Sequence, residues 1–288
     1  MSGNILDRFR SLHVWKRNGK RAPHKPLLVL WALGKVQNGN FGPWSFDEIY
    51  NGLIPLLREF APSSKVLRPE HPFRHLENDK VWAFNHELPK EPRVLSAAFF
   101  RRNKYEGSFS ADVEQALKAN PKLAEEIISI MMDAHFPESY FPDIAESCSI
   151  KKYTVQRIYR NPLFRKKVLQ LYDYQCAVCK YQVNHRDAPV GLEAAHIKWH
   201  KAGGPDLESN GLALCSLHHA LFDRGCFYVD HDFVVHTSPF ITGNTAVEHL
   251  EKYNGSPLSM LPSTPEFYPE NEYLDWHVNE TFKRYGGN

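Results

Sequence analysis

Four residues of the types that bind zinc lie in two close pairs in the second half of the chain. Cys176 and Cys179 form the first pair, and Cys215 and His218 form the second. Three thiols and an imidazole at this spacing are typical of a closed, tetrahedral structural zinc site. Isolated Cys-x-x-Cys pairs are often only buried or redox-active, but two pairs interleaved with further histidines are hard to obtain by coincidence. The spacing therefore predicts a Zn²⁺ ion that staples this region.

Four further residues of the same segment remain for chemistry: His196, Asn210, His219 and Asp223. His218 and His219 are adjacent, so on a helix their side chains point about 100° apart and cannot easily serve one ion. We expect one of them to face the zinc and the other to face a cleft. Asp223 would lie on the same helical face as His219, where it would either complete a second metal site or cap or orient Arg224.

The order His196, Asn210, His219 resembles the HNH nuclease family, in which a hairpin and a following helix form the ββα-metal unit. The resemblance implies that His196 is the general base, that Asn210 fixes the loop and orients the base, and that His219 binds the catalytic metal. That metal would be Mg²⁺, Mn²⁺ or another divalent cation, with Asp223 as a further ligand. An imidazole titrating near neutrality can take a proton from water, and a divalent cation stabilises the charge that develops on the phosphate.

Many HNH proteins carry an acidic or histidine ligand directly before the base, where this chain has Ala195. This departure leaves the number of protein ligands open, and Glu193 is not taken as a replacement. The alternative to a nuclease is a zinc-stapled binding module that has lost catalysis. The presence of both a base and a metal-type histidine favours the nuclease.

The first half of the chain carries a second set of motifs. His24-Lys25-Pro26 precedes a leucine-rich run, and His71-Pro72-Phe73-Arg74 and Asn78-Asp79-x-x-Trp82 follow. Over roughly residues 5–135 this order resembles the sulfur-binding domain of phosphorothioate-dependent type IV (McrA-like) restriction endonucleases, which precedes an HNH domain in such enzymes. The resemblance implies that four residues line a pocket for the sulfur: His24, Lys25, His71 and Pro72. The family commonly has Tyr-Pro at 71–72, and often Arg at 25.

An apolar pocket can distinguish a phosphorothioate from an ordinary phosphate. Sulfur is more polarisable and less strongly hydrated than oxygen, so a nonpolar hollow penalises the phosphate more. Cations at the rim would attract either backbone, and Arg101, Arg102 and Lys104 are the candidates for such DNA contacts. The alternative is that Pro72 and Phe73 are a turn and a core anchor, and that His24 is a polar residue at a helix start.

Length and composition describe an ordinary soluble protein. The chain has 288 residues, of which 24% are charged and 42% hydrophobic, with a net charge of only +2. No run of eighteen apolar residues and no apolar signal region is present, so we expect a cytoplasmic protein without membrane contact. Any DNA surface must be a local concentration of Lys and Arg.

The expected fold class is α+β, with a mainly helical DNA-reading domain followed by a zinc-stapled ββα-metal HNH domain. We expect domain boundaries of 1–145 and 161–288, with a linker at 146–160 and a polar, proline-containing loop over 137–149. The pattern predicts helices at about 5–14, 26–38, 46–60, 121–135, 163–174, 245–253 and 271–284, a strand at 80–84, and a hairpin with strands 226–229 and 233–236.

Together these features predict a modification-dependent DNA endonuclease that acts on double-stranded, phosphorothioate-modified DNA. Because one HNH unit cuts one strand, a double-strand break suggests a homodimer or two binding events. The alternatives are an HNH nuclease that reads methylated or unmodified DNA, and a zinc-stabilised DNA-binding regulator without catalysis.

Overall fold

The structure is a computed structural model, and it describes residues 2–14, 16–17, 20–21, 23–61, 67–91, 94–153, 162–186 and 188–282. The chain divides into two compact units, Met1–Gln156 and Arg157–Asn288. The division into 1–145, 146–160 and 161–288 remains a prediction, and residues 154–160 of the expected linker lie outside the described residues.

Helices dominate the first unit. They are α1 (Ser2–Arg10), α2 (His24–Gln37), α3 (Phe46–Phe60), α4 (Glu70–His75), α5 (Ala97–Arg102), α6 (Ala111–Ala119), α7 (Pro121–His135) and α8 (Phe141–Ser147). The strands are β1 (Lys16–Arg17), β2 (Lys20–Arg21), β3 (Trp44–Ser45), β4 (Trp82–Phe84) and β5 (Glu106–Phe109). The last three form a small antiparallel sheet in the order β3-β5-β4, and β1 pairs with β2.

The predicted buried helix is confirmed as α2. Every residue from Pro26 to Gly34 is buried, because apolar side chains occupy all faces of this helix rather than one stripe. It packs against α3, α4 and α7. This central position fixes the start of α2, which carries His24 and Lys25, beside α4, which carries His71 and Pro72.

Two predicted helix starts are confirmed by their caps. The Ser45 hydroxyl accepts a hydrogen bond from the backbone N–H of Glu48 at 3.2 Å, as the capping box of α3 requires. The Asn120 side chain accepts one from the N–H of Lys122 at the start of α7. Both caps satisfy backbone donors that have no partner inside the helix.

The expectation of a loop over 137–149 is wrong. These residues contain a 3-10 turn (Glu138–Tyr140) and helix α8, and Phe141, Ile144 and Cys148 lie buried in the core of the first unit. Pro142 occupies the first turn of α8, where its missing N–H costs nothing. Ile150 is also buried in this core, which favours placing the end of the first domain after Ile150.

The second unit is built around a hairpin and a helix. Its helices are α9 (Pro162–Leu171), α10 (Ser216–Asp223), α11 (Ala246–His249) and α12 (Asn271–Glu280). Its strands are β6 (Asn184–His185), β7 (Ala188–Pro189), β8 (Leu192–His196), β9 (Gly211–Cys215), β10 (Phe227–Val229) and β11 (Val235–Thr237). Strands β8 and β9 are antiparallel, with His196 opposite Gly211, and β9 runs directly into α10.

The predicted fold class is confirmed, since a mainly helical first unit precedes a ββα unit. The predicted hairpin is confirmed as β10 and β11, which pair around Asp230. The predicted C-terminal helix is shorter than expected, because α12 ends at Glu280, and residues 283 and 284 lie outside the described residues. No helix in the described ranges is long and apolar enough to cross a membrane.

Candidate functional site

The four zinc-type residues converge on one point. Cys176 and Cys179 lie in a turn after α9, Cys215 ends β9, and His218 lies in the first turn of α10. Their four ligand atoms all lie within 4.8 Å of one another, and within the described ranges no other group of three or more such residues meets this condition. A hairpin that delivers one ligand pair and a turn that delivers the other explain why residues about forty positions apart meet.

The imidazole of His218 is oriented as a metal ligand would be. Its Nδ1 lies 3.1 Å from the Cys215 sulfur, and its Nε2 donates to the carbonyl oxygen of His249 at 2.9 Å. That second hydrogen bond fixes the tautomer in which Nδ1 presents its lone pair to the thiols. Metal-bound histidines typically have such an outer partner, so the ring geometry fits a ligand role.

The charges of this cluster fit a cation. Burial lowers the pKa of His218, but hydrogen bonds with Cys176 and Cys179 outweigh it and raise the pKa to about 9. Hydrogen bonds from Cys179 and Cys215 hold the pKa of the Cys176 thiol far below its usual range. A largely buried set of three thiols and one imidazole is a donor set that suits Zn²⁺.

The neighbouring histidine faces a different set of groups. Nδ1 of His219 lies 2.5 Å from Oε2 of Glu193 on β8, and its Nε2 lies 3.6 Å from Oδ2 of Asp223 one helical turn later. Glu193 also accepts a hydrogen bond from the Ser216 hydroxyl at 3.0 Å. Adjacent positions on α10 thus send one ring to the thiol cluster and the other to two carboxylates.

The donor set around His219 fits a hard divalent cation. One imidazole nitrogen and a buried carboxylate of Asp223 face one another, while the other nitrogen is held by Glu193. A carboxylate on the far side of a ligating imidazole fixes its orientation and raises its basicity. Oxygen and imidazole ligands of this kind suit Mg²⁺ or Mn²⁺.

His196 ends strand β8 and is largely buried. The Phe164 ring of α9 stacks on the imidazole with ring centroids 4.2 Å apart, and Nε2 lies 2.8 Å from Oδ1 of Asp206. The His200 ring approaches edge-on at 6.0 Å. Gly211 faces His196 across the hairpin, and a Cβ there would lie 2.6 Å from a methyl group of Val168. The glycine therefore leaves the space that α9 needs to reach the ring.

Asn210 is fully buried and ties together the loop that follows His196. Its Oδ1 accepts from the N–H of Lys198 at 2.8 Å, and its Nδ2 donates to the carbonyl oxygens of Lys198 at 3.0 Å and Pro205 at 2.9 Å. Both N–H groups of the amide and its oxygen thus bond to the same loop. The side chain can therefore hold the loop at a fixed position relative to β9.

In the first unit, the starts of α2 and α4 bring His24 and His71 together. Pro72 is buried beside them, and His71 and His75 present their rings 6.4 Å apart on one side of α4. Burial, followed by the nearby His71, lowers the pKa of His24 to about 4. Nδ1 of His24 is buried without a hydrogen-bond partner. The structure thus places three of the four predicted pocket residues close together, around a His24 ring that burial keeps neutral.

The fourth predicted pocket residue is held elsewhere. Nζ of Lys25 lies 2.5 Å from Oδ2 of Asp79, and both side chains are nearly buried, at 11% and 6% exposed. Asp79 also accepts from the backbone N–H of His13 at 2.9 Å. Because an ammonium in a buried pair is not easily released, the structure favours a positioning role for Lys25.

The two predicted DNA-contacting arginines differ in their surroundings. Nε of Arg101 lies 2.6 Å from Oδ1 of Asp47, and its guanidinium lies over the Tyr50 ring at 4.2 Å. Both arginines are exposed. Arg101 is thus held against α3 by its pair with Asp47 while it stays accessible, and Arg102 lies exposed beside it.

With this geometry in view, comparison with known proteins gives two family matches. The family described as ScoMcrA-like, DNA sulfur-binding domain matches residues 2–152, and the family described as HNH endonuclease matches residues 176–230. The chain belongs to the ScoMcrA-like DNA sulfur-binding domain family. Both resemblances expected from the sequence are confirmed, and this member of the ScoMcrA-like family carries an HNH endonuclease domain after its sulfur-binding domain. A search of curated proteins found no match.

Solved structures give the following similarities. The "sulfur binding domain of ScoMcrA complexed with phosphorothioated DNA" is 17% identical, with 50% of this chain and 94% of that chain covered and a TM-score of 0.43. The SprMcrA sulfur-binding domain with phosphorothioated DNA is 18% identical, with 51% and 93% covered and a TM-score of 0.45. The "modification dependent TagI restriction endonuclease" is 27% identical, with 43% and 39% covered and a TM-score of 0.33. This chain thus spans less than half of the TagI structure.

The contacts of three carboxylates of this ScoMcrA-like protein were not predicted from the sequence: those of Glu193, Asp206 and Asp79. Asp206 and Glu193 contact the two histidines of the HNH motif, and Asp79 contacts Lys25. Glu193 and Asp206 lie three and ten residues from His196. Their closeness in sequence to the base is the signal that could have predicted a contact with the HNH histidines. No comparable signal existed for Asp79, which is 54 residues from Lys25.

Proposed function

We propose that this chain is a modification-dependent DNA restriction endonuclease. Its first unit would bind phosphorothioate-modified DNA, with which the ScoMcrA and SprMcrA sulfur-binding domains form complexes, and its HNH unit would hydrolyse phosphodiester bonds. The observation that supports this most is that a ScoMcrA-like domain at 2–152 and an HNH domain at 176–230 occur in one chain. A nuclease that must not cut ordinary DNA needs a recognition element apart from its catalytic unit.

In this proposal His196 is the general base, which takes a proton from the water that attacks phosphorus. Asn210 holds the loop behind the base through its three hydrogen bonds. His219 and Asp223 would hold the catalytic divalent cation, Mg²⁺ or Mn²⁺, and Glu193 would orient His219 from the far side of its ring. When bound, the cation supplies electrostatic stabilisation of the phosphate and of the departing 3′ oxygen.

Cys176, Cys179, Cys215 and His218 would hold a structural Zn²⁺. Their four ligand atoms lie within 4.8 Å of one another, and the cluster joins the turn after α9 to the start of α10. Because α10 also carries His219 and Asp223, a zinc ion there would fix the helix that binds the catalytic metal. The proposed zinc therefore has a structural role with a direct consequence for the catalytic site.

In the first unit, we assign the sulfur contact to the neighbourhood of His24, His71 and Pro72. A neutral His24 suits a site that favours a weakly hydrated sulfur over an oxygen. Lys25, paired with Asp79, would position His24 rather than contact DNA, and Arg102 would contact a phosphate. Arg101 would support that contact from α5, where it pairs with Asp47 of α3.

The remaining proposals concern assembly and location. Because one HNH unit carries one base and one cation site, cutting both strands of a duplex would need two units, and we propose a homodimer on the DNA. We also propose that the protein acts in the cytoplasm, where DNA is accessible to a restriction enzyme.

The proposal is tested with two duplexes of one sequence, one carrying a phosphorothioate link and one carrying phosphate only. Binding and cleavage are measured with the wild-type chain, His196→Ala and the matched control His185→Ala, whose exposed side chain lies on β6. We expect the wild type and the control to cut the sulfur duplex selectively, and His196→Ala to bind it without cutting.

Equal cutting of both duplexes would remove the sulfur claim and leave an HNH nuclease that reads another feature of DNA. A wild-type protein that binds the sulfur duplex but cuts nothing with Mg²⁺ or Mn²⁺ would identify a zinc-stabilised regulator instead. The two results separate the recognition claim from the catalytic claim.

A further inference from the structure

One ring nitrogen of His196, Nε2, lies beside a carboxylate. Nε2 lies 2.8 Å from Oδ1 of Asp206, a hydrogen-bond distance. The Phe164 ring covers one face of the imidazole, with the ring planes 13° apart, so the imidazole has little freedom to rotate. The imidazole side chain is 8% exposed and the Asp206 side chain 25% exposed, and a half-buried carboxylate interacts more strongly with its partner than a fully solvated one.

The position of Asp206 is set by the loop that Asn210 holds. Nδ2 of Asn210 donates to the carbonyl oxygen of Pro205, the residue directly before Asp206, at 2.9 Å. Gly204 permits this closure, because a Cβ there would lie 1.9 Å from the carbonyl oxygen of Lys198. Asn210 therefore holds both ends of the loop from Lys198 to Pro205, and Asp206, the next residue, contacts the base.

We propose that Asp206 is a positioning residue for the base: it accepts a hydrogen bond from Nε2–H of His196 and so leaves Nδ1 unprotonated and directed at the attacking water. This inference rests on the proposed function, in which His196 is the base. It assigns to Asn210 an indirect role as well, since the amide acts on the base through Pro205 and Asp206. A neutral imidazole carries one proton, and the nitrogen that donates to the carboxylate determines which nitrogen can accept another.

The proton and charge balance of the step is complete with groups already named. Nδ1 takes one proton from water, the resulting hydroxide bonds to phosphorus, and the bond from phosphorus to the 3′ oxygen breaks. The imidazolium then has the Asp206 carboxylate on its Nε2 side until it releases its proton to solvent, and the 3′ oxygen takes a proton from solvent. A carboxylate beside an imidazole favours the protonated ring, so Asp206 strengthens the base.

Other charged and titratable groups lie on the elements that pack around His196. From α9, Arg165 donates to the carbonyl oxygen of Leu192 and Lys167 pairs with Glu208. The His200 ring lies edge-on at 6.0 Å. Arg165, Lys167 and Glu208 thus have partners of their own, and Asp206 is a carboxylate in hydrogen-bond contact with the imidazole.

The test compares Asp206→Asn, Asp206→Ala and Asp206→Glu with wild type in single-turnover cleavage of the sulfur duplex over a range of pH. Glu251→Gln, an exposed carboxylate change in the turn Glu251–Tyr253, is the control. We expect Asp206→Asn to lower the rate by about 10²- to 10⁴-fold, because an amide can donate to Nε2 and impose the other tautomer. Asp206→Ala should move the acid limb of the profile to lower pH by about one unit, because the ring loses the charge that favours its protonated form.

A structural role would lower the rate without moving the acid limb, so Asp206→Ala with a reduced rate and an unmoved limb would overturn the inference, as would wild-type rates in Asp206→Asn. Recovery of both rate and limb in Asp206→Glu supports it. The tautomer of His196 is read independently of cleavage from the ¹⁵N resonances of its ring in the full chain. We expect a protonated Nε2 in wild type and a changed tautomer in Asp206→Asn.

The resonance measurement also separates this inference from the proposed function. A wild-type chain that cuts no DNA but shows protonated Nε2, changed by Asp206→Asn, would contradict the nuclease proposal and support the positioning of His196 by Asp206. A protonated Nδ1 in the wild type would overturn the inference even if the protein cuts DNA.

Discussion

The side chain of Asn210 offers a sharp test of the HNH site, because it is fully buried and its three hydrogen bonds all go to the loop between His196 and Asp206. Asn210→Ala removes all three. At about 1 kcal/mol for each neutral hydrogen bond, the loop should lose roughly 3 kcal/mol of stabilisation. Asn210→Asp keeps the acceptor for the N–H of Lys198 but turns an acceptor oxygen toward two carbonyl oxygens. We expect this change to cost at least as much, although the two side chains have nearly the same shape.

The size of this loss decides which assay to use. A domain stability of about 5–15 kcal/mol leaves the second unit folded after a loss of roughly 3 kcal/mol, so the local measurement is hydrogen exchange of the Lys198 amide. The amide should lose protection in Asn210→Ala and keep part of it in Asn210→Asp. Cleavage of the sulfur duplex should fall by about 10²-fold or more in both, since the loop positions the base and small displacements of catalytic groups cost about that much.

The control is Asn184→Ala, an exposed amide on β6. If Asn210→Asp cut DNA and protected the Lys198 amide as the wild type does, the assignment of Asn210 as the residue that holds the loop would be refuted. Loss of protection with normal cleavage would show that the loop has no bearing on the base.

Three further predictions concern stability. Cys176→Ser, or a strong chelator applied to the wild type, should unfold the second unit and spare the first, because a structural zinc supplies folding free energy. Calorimetry and metal analysis measure this, and a second unit that stays folded without zinc would refute the ligand set. Asp79→Ala should destabilise the first unit by about 3–5 kcal/mol, because it leaves the nearly buried Lys25 ammonium unpaired. The control Asp47→Ala breaks the more exposed pair with Arg101 and should cost less than about 1 kcal/mol. Equal losses of unfolding free energy in denaturant titrations would contradict this prediction. His24, with a pKa lowered to about 4, is neutral in the folded unit and gains a proton on unfolding, so its contribution is present above pH 6.5 and is lost as pH falls toward 4. Between pH 7 and 5 this should cost the wild type roughly 2 kcal/mol that His24→Gln does not lose; parallel pH curves would exclude it.

Local signals in the sequence predicted the helices with clear starts and the ligands that are close in sequence. The cap at Ser45 and Glu48 fixes α3 through backbone groups three residues apart, and the all-apolar run after Pro26 is buried as expected. The short spacing within the pairs Cys176/Cys179 and Cys215/His218 predicts zinc ligands. In each case the physical cause acts over one or two helical turns, so the sequence alone contains it.

Interactions between distant residues were not predictable in this way. Lys25 and Arg101 each pair with an aspartate 54 residues away, and nothing near them in sequence indicates that partner. The sulfur-pocket role of Lys25 and the DNA contact of Arg101 stay predictions. Over 137–149 the polar residues and two prolines suggested a loop, while the stripe of Phe141, Ile144 and Cys148 supplies enough apolar surface for a short helix to pack. Whether such a segment forms a loop or a helix depends on its burial against distant parts of the chain.

The assignment of His218 to the zinc and of His219 to the catalytic metal is tested most directly with His218→Ala and His219→Ala. The zinc content and the DNA cleavage of both variants are measured side by side. We expect His219→Ala to keep its zinc and its folded second unit but to cut no DNA. We expect His218→Ala to lose zinc at chelator concentrations that the wild type resists, and to lose the second unit's stability with it. If His219→Ala lost zinc while His218→Ala kept both zinc and cleavage, the assignment of the two neighbouring rings to separate sites would be contradicted.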